Sequence, residues 1–101
     1  MLTSKQRAQL KGMASTMDTI VHIGKGGITE NVIIQVKDAL KARELIKGKV
    51  LENCELTPRE VLSELASACK AEEVQAIGTK IVLYKRNEQE PKIVLIKSKK
   101  K

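Results

Sequence analysis

The stretch Thr19-Ile20-Val21-His22-Ile23-Gly24-Lys25-Gly26-Gly27-Ile28-Thr29 decides how this chain folds. Residues 19–23 are rich in β-branched side chains, which suit an extended strand. Gly24-Lys25-Gly26-Gly27 then ends the strand abruptly. Thr29 supplies the N-cap of a helix whose apolar stripe is Val32, Ile33, Val36, Ala39 and Leu40. A strand, a glycine bend and a capped helix in direct succession make the opening half of a strand-helix-strand unit.

The unit closes on a second strand within residues 45–51, where Gly48 marks a bulge or a close backbone approach. Thr57-Pro58-Arg59-Glu60 is a capping box with proline at the first helical position, and it opens a helix with Val61, Leu62, Leu65, Ala66 and Cys69 on its buried side. Residues 74–77 and 80–85 read as two strands joined by a tight turn through Gly78-Thr79. Upstream, Thr3-Ser4-Lys5-Gln6 caps a first helix that places Lys5, Arg7 and Lys11 on its exposed side and Met13 and Met17 in the core. The expected order is helix-strand-helix-strand-helix-strand-strand. It gives an α/β domain of the α+β-like single-layer kind, a four-stranded mixed sheet packed by helices.

Residues 1–86 are expected to form this domain and residues 87–101 a basic extension. Within the extension, residues 92–97 could add an edge strand protected by flanking lysines. The chain of 101 residues is the size of one domain, with a core that must be aliphatic because Tyr84 is the single aromatic residue. That excludes a sheet that stacks several bases on aromatic platforms. The net charge is +7. From Lys85 onward seven basic residues face two acidic ones, so the surplus is concentrated at the C-terminal end. An anionic partner follows, either nucleic acid or a membrane surface, and nucleic acid fits better because no basic helix has an aromatic apolar face.

Cys54 and Cys69 lack zinc spacing and read as reduced cytosolic thiols, so the expected location is cytoplasmic and no metal or cofactor is implied. His22 is the sole histidine and has no accompanying carboxylate pair, nucleophile or metal cluster, which argues against an enzyme. The chemistry rests instead on the glycine bend. Glycines let a backbone approach a ligand closely, the amides at a helix N-terminus favour an anion, and Lys25 can reach a second phosphate oxygen. The bland alternative is a tight turn with no ligand. Three glycines in four positions exceed what a turn requires, and the remaining residue is a lysine. A P-loop needs its lysine after the last glycine, and the dinucleotide fingerprint would need glycine where Thr29 stands.

Leu2-Thr3-Ser4-Lys5-Gln6-Arg7, Val21-His22-Ile23 with the glycine bend and Ile28-Thr29, Glu44-Leu45-Ile46-Lys47, Val74 to Gly78 and Val82-Leu83-Tyr84-Lys85-Arg86 together resemble the YhbY-type stand-alone CRM domain, named for chloroplast RNA splicing and ribosome maturation. The resemblance spans residues 2–86. It implies a fold like the C-terminal domain of translation initiation factor three, and RNA binding through Gly24, Lys25, Gly26 and Gly27 beside Thr29. It further implies helix-1 contacts from Lys5 and Arg7, to which the adjacent Lys11 adds charge. Association with precursors of the large ribosomal subunit and their ribosomal RNA follows from the same likeness. Independently of it, a monomer is expected. Ser15, Asp18 and Arg43 depart from the family's usual histidine, proline and histidine. An adaptor that binds ribosomal proteins stands as the alternative from a different functional class.

Overall fold

The computed structural model describes residues 2–87 together with residues 89, 91, 93 and 95. Its elements run α1 (Ser4–Ala14), β1 (Val21–Ile23), α2 (Glu30–Arg43), β2 (Leu45–Val50), α3 (Pro58–Cys69), β3 (Glu72–Ile77) and β4 (Lys80–Tyr84). The order matches the one read from the sequence. Three boundaries differ. The first strand begins at Val21 instead of Thr19, the third begins at Glu72 instead of Val74, and the last ends at Tyr84 instead of Lys85. A register irregularity between Glu73 and Gln75 explains the second difference, because it breaks the period-2 pattern by which strands are recognised.

The helices start where their caps dictate. The Thr3 hydroxyl accepts from the Gln6 amide at 3.1 Å while the Gln6 side chain accepts from the Thr3 amide, also at 3.1 Å. Thr57 and Glu60 make the same reciprocal pair at 3.1 and 2.9 Å. Thr29 caps α2 by accepting from the Val32 amide at 3.2 Å.

The four strands lie in the order β1-β2-β4-β3. β1 runs parallel to β2, while β4 is antiparallel to both β2 and β3. The hairpin partner β4 has therefore inserted between the two strands joined by α3. Alternate residues of β2 and β4 face opposite sides. Ile46, Ile81 and Leu83 join Val36 and Leu40 of α2 and Val61, Leu62 and Leu65 of α3 in the larger core. Leu45, Val82 and Tyr84 join Leu10 and Ala14 of α1 in a smaller one. The sheet is thus covered by α2 and α3 on one face and by α1 on the other. Each fully buried aliphatic side chain contributes roughly 1.5–3 kcal/mol, so both clusters matter to stability.

Met17 packs against the smaller cluster as expected, but Met13 is 40% exposed and is not core. The three-residue step from Leu10 carries it past the edge of the buried stripe. Gly48 is the close approach anticipated from the sequence, since a Cβ there would meet the Val21 carbonyl oxygen at 3.3 Å.

Glu44 is the one buried charged residue among those described. It ends α2 with φ of 65°, and its carboxylate accepts from the amides of Asn87 and Ile93, each at 2.7 Å. Its carbonyl accepts from Lys85 at 2.8 Å. This carboxylate draws the C-terminal segment onto the domain, where Ile93 and Leu95 pack against the smaller cluster. The strand expected over residues 92–97 otherwise lies outside the described residues.

Two substitutions test this account by urea denaturation. Leu65→Ala is expected to lower stability by about 2–5 kcal/mol through cavity formation. Glu44→Ala leaves two amides without their acceptor and is expected to cost about 1–3 kcal/mol. A Glu44→Ala protein as stable as the parent would remove the carboxylate from its anchoring role.

Candidate nucleic-acid interface

The glycine bend is a four-residue turn closed by the Gly27 amide, which donates to the Gly24 carbonyl at 2.9 Å. Lys25 and Gly26 occupy its two central positions and are exposed. Below it, the Leu51 amide donates to the Ile23 carbonyl at 2.8 Å, so the segment after β2 forms the floor of the bend. A Cβ at Gly24 would meet Asn53 and Leu51, both at 3.4 Å. On the far side Ile28, half-buried, packs into the larger core. The bend is anchored at both ends and open at its tip.

The glycines serve different purposes. Gly27 has φ of 68°, a left-handed conformation that costs a side-chain-bearing residue about 1–2 kcal/mol. Gly26 is not conformationally required, and a Cβ there would meet only the Thr29 methyl group at 3.5 Å. Gly27 is needed to make the bend; Gly26 leaves its outer surface bare.

The start of α2 lies beside this surface. Thr29 sits there as a cap, with its hydroxyl already engaged by Val32. Glu30 in the first turn partly offsets the positive end of the helix. Positive potential at the tip therefore comes chiefly from exposed backbone amides and from Lys25.

Lys5, Arg7 and Lys11 lie elsewhere. They belong to α1, on the opposite face of the sheet from α2. The Arg7 guanidinium donates to the Glu73 carbonyl at 3.2 Å, which fixes it over β3. Arg7 and Lys11 line a groove of about 640 Å³ with Arg59 of α3 and residues of β3. β1 and β3 are the two outer strands, three inter-strand steps or about 14 Å apart. The loop and the helix-1 cations are thus two separate positive regions, and the groove that holds Arg7 and Lys11 does not include the bend. Sequence reading missed Arg59, whose place beside the β3 edge depends on how α3 crosses the sheet.

Both thiols are free, and Cys69 is buried with its sulfur 4.0 Å from the Ile33 carbonyl oxygen. Burial pushes its pKa up, which disfavours the nucleophilic thiolate. His22 is exposed, with its Nε2 at 3.5 Å from the Thr19 hydroxyl. Among the described residues no group of histidine, cysteine and acidic side chains could hold a metal ion. No helix among them is long and apolar enough to cross a membrane.

Three helices around a β1-β2-β4-β3 mixed sheet, with an open glycine bend leading into α2, define a small α/β domain. The chain belongs to the CRS1 / YhbY (CRM) domain family, which it matches over residues 2–85. A Bacillus subtilis relative named "Probable RNA-binding protein YqeI" is 43% identical over 94% of this chain and 99% of its own length. A Haemophilus influenzae relative named "RNA-binding protein" is 38% identical, covering 87% of this chain and 89% of that protein. The solution structure of SAV1595 from Staphylococcus aureus superposes with a TM-score of 0.80 at 44% identity, covering 95% of this chain and all of that one.

The division of labour between the glycines is open to measurement. Gly27→Ala is expected to destabilise the domain by about 1 kcal/mol in thermal or chemical denaturation, whereas Gly26→Ala leaves stability within about 0.5 kcal/mol of the parent. Equal losses at the two positions would contradict the geometry described.

Proposed function

We propose that this protein is a non-enzymatic, cytoplasmic RNA-binding factor that acts in assembly of the large ribosomal subunit and holds the RNA backbone at Gly24-Lys25-Gly26-Gly27. The observation that carries the reading is the open tip of the bend, where Lys25 and the bare Gly26 surface face solvent beside a helix N-terminus. A phosphodiester can reach the backbone amides there without displacing any side chain. The names of the relatives support RNA as the ligand class. The charge supports it too, because +7 on 101 residues supplies the attraction on which sequence-independent RNA binding depends.

Arg7, Lys11 and Arg59 offer a second contact region beyond the loop's reach, so a bound RNA would follow the surface around the sheet. With Tyr84 buried, recognition depends on backbone shape and charge more than on base stacking. The adaptor reading is the competing one, in which the basic surface meets ribosomal proteins and RNA contributes little.

Binding to purified large-subunit ribosomal RNA across a salt series tests the proposal. Lys25→Ala is expected to reduce the slope of log affinity against log salt by about 0.7, the share of one phosphate on a single strand. Gly26→Asp places a carboxylate where the phosphate would lie, and a loss of at least about tenfold, or ~1.4 kcal/mol, is expected with the fold intact by circular dichroism. Undiminished affinity in a folded Gly26→Asp protein would exclude the loop. Affinity that emerges only when ribosomal proteins are added would favour the adaptor.

A further inference from the structure

Strand register places an unremarked set of residues in one line. His22 of β1 is paired with Lys49 of β2, Lys49 with Lys80 of β4, and Lys80 with Ile77 of β3. Directly paired residues point to the same side of a sheet, so all four share a face. It is the face that α1 covers, as the burial of Leu45, Val82 and Tyr84 beneath that helix shows. The helix stops short of the row: it ends at Ala14, whose carbonyl accepts from the Lys47 ammonium at 3.0 Å. Beyond that point His22 and Lys80 are exposed, Lys49 is half-buried and Ile77 is 59% exposed.

The juxtaposition of Lys49 and Lys80 has no structural benefit. Like charges directly opposite on antiparallel strands repel, and these two stand on the central strands of the sheet. Among the described residues no carboxylate forms an ion pair with either one. The lysine next to them in β2 shows the contrast, since Lys47 is bound to the end of α1. A bound anion would convert the repulsion into attraction.

The row is also well placed. His22 lies two residues before Gly24, so the line crosses the sheet about 7 Å from the glycine bend. Its members follow at about 4.8 Å intervals, the spacing of neighbouring strands. Such a line suits a single chain of successive phosphates better than one isolated anion.

We infer that His22, Lys49 and Lys80 form a phosphate-binding track on the α1 face of the sheet, which continues the path of one RNA strand from the glycine bend towards Ile77. The inference rests on the RNA-binding reading above and extends it to a surface outside the loop and outside helix 1. RNA leaving the bend crosses β1, β2 and β4 in turn. Ile77 ends the track with an apolar side chain against which a ribose or base edge can rest.

The test uses the full chain with a uridine homopolymer as probe, followed by the same measurements with poly-glutamate. Lys49→Gln and Lys80→Gln combined are expected to reduce the salt slope for the homopolymer by about 1.4, two phosphates' worth. The melting temperature stays the same or rises, because the repulsive pair is gone. Lys49→Arg with Lys80→Arg is expected to keep the parental slope. An unchanged slope in the glutamine pair, while Lys25→Ala and Gly26→Asp weaken binding, overturns the track and leaves the loop reading standing. A reduced slope in the glutamine pair with normal binding by the loop variants supports the track and defeats the loop. Loss of poly-glutamate binding without any change for RNA overturns the inference in favour of an acidic protein partner.

Discussion

The pairing of β2 with β4 is the constraint on which the rest of the molecule depends. Its register, from Leu45 opposite Tyr84 to Lys49 opposite Lys80, sorts every side chain of the two central strands onto one face or the other. A slip of β4 by one residue against β2 would put Ile81 and Leu83 under α1 and send Val82 and Tyr84 to the face of α2 and α3. Neither helix layer could then be filled. Because both faces are buried along most of these strands, the alternation is specified twice over. It relaxes only at the end near the bend, where lysines replace leucine and valine.

That asymmetry links packing to function. At one end the sheet is a two-sided core; at the other it carries charge beside a loop of exposed backbone. Glu44 sits at the core end, where it binds the C-terminal segment, and so leaves the bend end uncovered among the described residues. The elements that stabilise the fold and those proposed to meet an anion are thereby kept apart. Substitutions at the bend surface, away from Gly27, leave the packed clusters untouched.

Much of this was legible in the sequence because the strongest signals are local. Capping boxes at Thr3 and Thr57 require only residues three apart, and both appear in the structure. The glycine bend, the Thr29 cap and the order of all seven elements were read in the same way. What escaped was non-local. Insertion of β4 between β2 and β3 cannot be seen in hydrophobic periodicity, and it determines which lysines become neighbours. Met13 looked apolar enough for the core, yet its angular position on α1 exposes it. Lys5 and Arg7 were assigned through the family resemblance and Lys11 through its charge, and only the fold shows that α1 lies on the other face of the sheet from α2.

Lys49 shows why the site was harder to read than the fold. In the sequence it is one of the two lysines that flank Gly48, with nothing local to tell them apart. The structure gives the two lysines opposite fates. Lys47 spends its charge on the carbonyl at the end of α1, whereas Lys49 meets Lys80 across the ladder. Repulsion of this kind is weak, a few tenths of a kcal/mol to about 1 kcal/mol, and the two hydrophobic clusters easily outweigh it. A fold with so ample a core can hold like charges together at its surface, and that surplus is what leaves charge available for a ligand.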